Sequence, residues 1–156
     1  MQSYFIVLPV DTIDVGHAYD KLPLHCTVMP WFKTRKSPEE VLQCVHWEAR
    51  RSGPIILKRK GMAFIGINQD VPVDLVDLNP NLSTLHIRLF AHLRDFGVEF
   101  LYPQWVDLGY RPHITRVDSR QMQAGIDIWS NALHCTQQMD DDQLKRKKAP
   151  AAFALT

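Results

Sequence analysis

Two helix starts are spelled out in this 156-residue chain, and almost everything around them reads as short strand. Ser37-Pro38-Glu39-Glu40 combines a capping hydroxyl, a proline at the first helical position and an acid three residues past the cap. Val41, Leu42, Val45 and Ala49 follow at helical spacing, and Gly53 stands just beyond the end. Asn79-Pro80 opens a second helix whose core face is Leu82, Leu85, Leu89, Phe90 and Leu93, closed by Gly97. The intervening apolar runs are too short for helices. SYFIVLP (3–9) and 24–30 read as strands, as do 99–102 and VPVDLVDL (71–78), whose alternation predicts one wet face. PIILKRK (54–60) and MAFIGI (62–67), joined at Gly61, suggest a hairpin. Helices interleaved with strands in two comparable halves predict an α+β fold. Its expected form is two similar lobes of antiparallel sheet with flanking helices around a central cleft.

After Val117 the pattern weakens. Met122, Ile126, Trp129 and Leu133 have helical spacing, with Ser119 as the cap, and AAFALT suggests a short closing strand. DDDQLKRKK (140–148) reads as a solvated loop or hairpin tip. Length and an ordinary composition, 46% apolar and 22% charged, fit a single domain over 1–156. A net charge of +1 gives no bulk attraction to long nucleic acid, so the expected partner is a nucleotide or short oligonucleotide, not duplex DNA. Cys26, Cys44 and Cys135 are odd in number and lack metal-ligand spacing, which suits a reducing cytosol. The N-terminal run lacks the features of a signal peptide or membrane span, so the expected place is the cytoplasm, away from membranes.

The chemistry is carried by two tripeptides, His25-Cys26-Thr27 and His113-Ile114-Thr115, 88 residues apart. Each stands near a proline and opens an apolar strand-like run. Residues i and i+2 of a strand share a face, so each tripeptide presents an imidazole beside a hydroxyl. Two such pairs facing one cleft supply a general base, a general acid and two hydroxyl donors around a phosphate. Chance supplies about 0.3 such tripeptides given seven His in 156 residues, and the chain has three. The third, His134-Cys135-Thr136, falls at the end of the expected last helix, where i and i+2 diverge, and is set aside as a decoy. The plainer reading of the first two is a pair of structural histidines, with Thr chosen for strand preference. Their matching contexts in equivalent halves weigh against it. His46 and His86 read as structural residues beside helical stripes, whereas His17 lies in a loop within reach of a ligand. No metal-ligand spacing, P-loop or G-x-S-x-G is present, so no cofactor or metal is implied.

With these motifs the chain resembles the two-histidine (2H) phosphoesterase superfamily, which includes 2′-5′ RNA ligase-like proteins and cyclic phosphodiesterases. The resemblance rests on two H-x-[ST]-x motifs at the family's interval, on the proline in YRPHIT, on the opening strand FIVLPV and on the Leu-rich helix with NLSTLHIRL. It runs from about residue 3 to 117. It implies that His25 and His113 are catalytic, that Thr27 and Thr115 bind phosphate oxygens, and that the chemistry needs no metal. Arg116 departs from the family's apolar residue, and strand alternation points it away from Thr115.

Phosphate alone does not select a base. Tyr4, Trp31, Phe64, Trp105 and Tyr110 lie near the motif strands, and Tyr110, Trp31 and Tyr4 are taken as candidate substrate contacts, with Arg111 as a phosphate partner. The function expected is a phosphodiesterase acting on a 2′,3′-cyclic phosphate, a 2′-5′ linkage or a cyclic oligonucleotide messenger. The alternatives are a nucleotide-binding sensor without turnover and a 2′-5′ RNA ligase.

Overall fold

Both helices start as their side chains dictate. The Ser37 hydroxyl accepts the Glu40 N–H while the Glu40 carboxylate accepts the Ser37 N–H, closing the box that begins α1 (Pro38–Ala49). The Asn79 carbonyl accepts the Leu82 N–H at the start of α2 (Pro80–Asp95), and its amide donates to the Ile56 carbonyl, tying the cap to a neighbouring strand. The computed structural model describes residues 1–118, 120–123, 125–139 and 146–156.

Among the described residues ten strands complete the fold: β1 (Gln2–Pro9), β2 (His25–Thr34), β3 (Ile55–Leu57), β4 (Arg59–Ile65), β5 (Val71–Val76), β6 (Glu99–Phe100), β7 (His113–Thr115), β8 (Ile128–Ser130), β9 (Ala132–Gln138) and β10 (Lys147–Ala154). Eight form one sheet in the order β10-β9-β1-β2-β7-β5-β4, with β6 also on β2, and β3 pairs with β8. All of these pairings are antiparallel. The α+β architecture is thus the expected one. Its two halves join at a narrow seam, where the Cys26↔Ile114 pair links β2 to β7.

The sheet has a dry face and a cleft face. Tyr4, Ile6 and Leu8 of β1 and Cys26 and Val28 of β2 point one way, into a core shared with Val41 and Val45 of α1 and Leu82, Leu85 and Leu89 of α2. Burying each Leu fully is worth roughly 1.5–3 kcal/mol, so this helix-covered side holds the sheet flat against α1 and α2. On the other face Phe5, Val7, Ile13, Leu22 and Ala149 make a smaller cluster under the 10–24 loop. Both motif strands therefore have a packed back and an open front.

Four expectations are corrected. Gly61 is not a turn: it lies within β4 at a register shift, and β4 pairs with β5 rather than with β3. β5 has no wet face where Asp74 stands, because that carboxylate is 0% exposed and held by Arg59 and Arg116. The described residues between 122 and 133 form no helix. Gly125 takes a φ of 77°, residues 128–130 pair with β3, and 132–138 enter the main sheet between β1 and β10. Leu133, His134, Cys135 and Thr136 are all buried, so the strand is covered on both faces and its period of two is hidden in the sequence. Lastly, Lys147 and Lys148 open β10 rather than a solvated tip, and AAFALT mostly continues that strand. Ser119 and residues 140–145 lie outside the described residues.

Candidate active site

Around the Cys26↔Ile114 pair, one step along the antiparallel strands sets Thr27 opposite His113 and His25 opposite Thr115. The four side chains occupy the corners of a square on the cleft face, with the two imidazoles at opposite corners. Directly opposed Cβ atoms lie about 4.5–5.5 Å apart and diagonal neighbours about 7–8 Å, which leaves a phosphate-sized gap between the rings.

Both rings are anchored alike. His25 Nδ1 donates to the Pro23 carbonyl at 2.8 Å and His113 Nδ1 to the Arg111 carbonyl at 2.9 Å, each two residues upstream. A carbonyl only accepts, so each Nδ1 carries the hydrogen and each Nε2 keeps its lone pair for the cleft. The prolines of the two motifs stand within these anchoring turns, Pro23 as the acceptor and Pro112 between the partners. Burial lowers the pKa of both rings below the ordinary imidazole value, against the raising effect of their carbonyl partners. The charge of His113 presses further on His25, and that of Arg111 on His113.

The cleft measures about 410 Å³ and is lined by His25, Thr27 and His113 at its floor. That volume suits a small-molecule ligand. Thr115 shares the face but is not among the lining residues. Trp31 lines it, half-buried and tilted onto Phe5 at 4.3 Å, and Arg111 stands exposed at its edge. Tyr110 lines it too, as expected of a candidate contact, and it also braces the first motif strand. It is 8% exposed, its ring stacks on His86 at 3.9 Å, and its hydroxyl donates to the Thr27 carbonyl at 2.8 Å. His86 in turn donates from Nδ1 to the Val28 carbonyl and accepts the Asp107 N–H on Nε2. Two consecutive carbonyls just after the first motif are thereby clamped, and the structural reading of His86 holds.

Tyr4 is a correction. It is 0% exposed and stacks on Phe32 in the core, because β1 alternates and it is Phe5 that faces the cleft. Phe64 is turned outward while its neighbour Ile65 lines the cleft, and His17 packs edge-on against Tyr19 and is not among the lining residues. Sequence reasoning missed Phe5, Leu22, Ile65, Gly66, Tyr102 and Lys147. Tyr102 and Trp105 belong to a wall of two 3-10 turns, Pro103–Trp105 and Asp107–Gly109. A side chain at Gly109 would collide with the Gln104 carbonyl, so glycine is what lets this wall fold tightly.

Arg116 has a clear task. With Arg59 it holds Asp74, whose carboxylate also accepts the Met122 N–H. Burial alone would raise that carboxyl; the two guanidinium groups and the N–H hold it below the usual range. The cluster lies behind the second motif, since Asp74 pairs with Ile114 and Leu75 with His113. His134 also sits differently from expectation. It is on β9 in one row with Val7 and Thr27, facing the same way as the motif histidines. It is 6% exposed, its buried Nδ1 has no hydrogen-bond partner among the described residues, and it is not among the residues that line the cleft. Among the described residues no group of three or more His, Cys, Asp or Glu side chains is placed to hold a metal ion, and no helix is long and apolar enough to cross a membrane. The three cysteines are free and buried.

No protein-family model and no curated protein sequence matches the chain. Solved structures do, over 99% of this chain and 98% of theirs. They include a phosphoesterase (TM-score 0.65, 13% identity) and the protein TT0787 of Thermus thermophilus (TM-score 0.66, 14% identity). E. coli LigT matches in its complexes with NADP+ (TM-score 0.63, 14% identity) and 3′-AMP (TM-score 0.63, 15% identity). Over 99% of its length, then, the chain has the fold of these proteins, one of them a phosphoesterase, in accord with the likeness to the 2H superfamily that its two motifs carry.

Proposed function

We propose that the chain is a phosphodiesterase that cleaves a nucleotide phosphodiester by two-histidine general acid–base catalysis, without a metal. The observation that carries this reading is the pair of identically anchored imidazoles at opposite corners of one cleft floor. In the empty site both rings favour the neutral form, because burial lowers both pKa values. A bound phosphate anion reverses this for one ring, so the substrate itself completes the acid–base pair. The neutral Nε2 takes the proton of the attacking hydroxyl or water, and the protonated one donates to the leaving oxygen, each worth about 10²–10⁴-fold. The Thr27 and Thr115 hydroxyls donate to the non-bridging oxygens, and Arg111 adds charge beside them. The apolar and aromatic lining, Trp31 and Trp105 included, takes a base. LigT, of the same fold, is solved with 3′-AMP, ATP and NADP+, which supports a nucleotide as the ligand here.

The test is turnover in EDTA of a panel of 2′,3′-cyclic nucleotides, 2′-5′-linked dinucleotides and cyclic dinucleotides. The expected result is cleavage of at least one class, lost by roughly 10³-fold or more in His25→Ala and in His113→Ala. Activity kept by both variants rules out the mechanism, and binding without turnover makes the chain a sensor.

A further inference from the structure

The cleft reaches well past the imidazoles. From the seam it passes Trp31 and Phe5 and ends at Lys147, the first residue of β10. β10 is three strands from β2 in the sheet order, about 14 Å at the usual spacing. A lysine there cannot serve the phosphate held between His25 and His113. Its backbone is pinned, since its N–H donates to the Tyr19 carbonyl at 2.9 Å and its carbonyl accepts the Tyr19 N–H at 2.8 Å. Its ammonium is not neutralised: Nζ donates to the Asp20 carbonyl at 3.3 Å, and no described carboxylate stands within ion-pair distance. Arg111, two residues from His113 and near enough to depress that ring, belongs to the scissile phosphate and does not duplicate Lys147.

Across the sheet the order is therefore a proton-transfer pair on β7 and β2, an aromatic pair, Trp31 and Phe5, on β2 and β1, and an unspent cation on β10. That order is complementary to a phosphate, a nucleoside and a second phosphate. We propose that the substrate carries two phosphates flanking one nucleoside, as a linear or cyclic oligonucleotide does, and that Lys147 receives the second. The proposal rests on the phosphodiesterase reading and narrows it: a nucleoside 2′,3′-cyclic monophosphate, which lacks the second phosphate, is a poor substrate.

Calorimetry with the four nucleoside 3′-monophosphates and the corresponding 3′,5′-bisphosphates tests it. The wild type is expected to bind at least one bisphosphate about tenfold more tightly than its monophosphate, the gain of one charge-assisted contact. Lys147→Ala should bring that ratio to about one, and Lys147→Arg should restore it. A wild type that binds both nucleotides alike overturns the proposal. So does a Lys147→Ala variant that keeps the ratio or weakens both nucleotides equally. Failure of the wild type to bind any of these nucleotides, together with no turnover in the EDTA panel, overturns the phosphodiesterase reading as well.

Discussion

His25 and His113 differ from ordinary histidines in the same direction and for the same first reason, burial. The consequence for pH follows from the sign. A lowered pKa means that above the ordinary imidazole value, about 6.5, the free site holds two neutral rings. The form that the proposed mechanism uses, one ring neutral and one protonated, is most populated between the two macroscopic values of the pair, which lie below that point. Because kcat/KM reports the free enzyme, it should peak below about pH 6.5 and fall as pH rises through neutrality. The kcat profile reports the complex, where the phosphate anion favours the protonated ring, and should extend to higher pH. Full pH profiles of both constants check this. A kcat/KM optimum above about pH 7 contradicts it.

At the level of elements, the second motif depends on a strand of three residues, too short to fix its own register. What holds it is β5 on one side and the Arg59–Asp74–Arg116 cluster behind it. Asp74 is buried, so its loss leaves two guanidinium groups facing one another without a counter-charge. Asp74→Ala should cost about 3–5 kcal/mol of stability in urea unfolding at pH 7, as breaking a buried ion pair commonly does. The acid limb has a definite sign. The Asp74 pKa is depressed in the fold, so its contribution is fully present above the unfolded value, about 3.9, and is lost as pH falls through the folded one. The gap between wild type and variant should therefore narrow only in strong acid. A gap that closes already between about pH 7 and 5 assigns the effect to another group.

The same elements explain what the sequence could and could not reveal. The starts of α1 and α2 were legible to the residue because an N-cap is local, Ser37 and Asn79 each accepting an N–H three positions on, whereas α1 ends at Ala49, four residues short of Gly53. The four corners of the site were legible because a strand puts i and i+2 on one face whatever lies around it. Which face is the cleft is a property of the whole sheet, so local pattern does not separate Tyr4, which is buried in the core, from Phe5, which lines the cleft. Asp74 looked like a wet position because its partners, 15 residues before it and 42 after, are invisible to any local pattern. Tyr110 and His86 pair across 24 positions for the same reason.

For the molecule as a whole, the informative fact is that three His-x-Thr tripeptides stand on strands of one sheet and the topology selects two. His134 shares a row with Val7 and Thr27 and faces the cleft side. Conformation therefore does not exclude it; cover does. Ile13 and Leu22 of the 10–24 loop pack with Phe5 and Val7 on that face of the sheet, and His134 is 6% exposed. The seam between β2 and β7 lies beyond this cover, and there alone do two imidazoles face one opening. His134→Leu removes a buried imidazole whose Nδ1 has no partner and should thus shift the melting temperature by no more than a few degrees, about 2–4 °C per kcal/mol for a chain of this size. Its kcat/KM should stay within about threefold of wild type, equivalent to less than about 1 kcal/mol in transition-state binding. A loss comparable to that of His25→Ala, in a variant that melts normally, would place His134 in the chemistry and require the 10–24 loop to open during turnover.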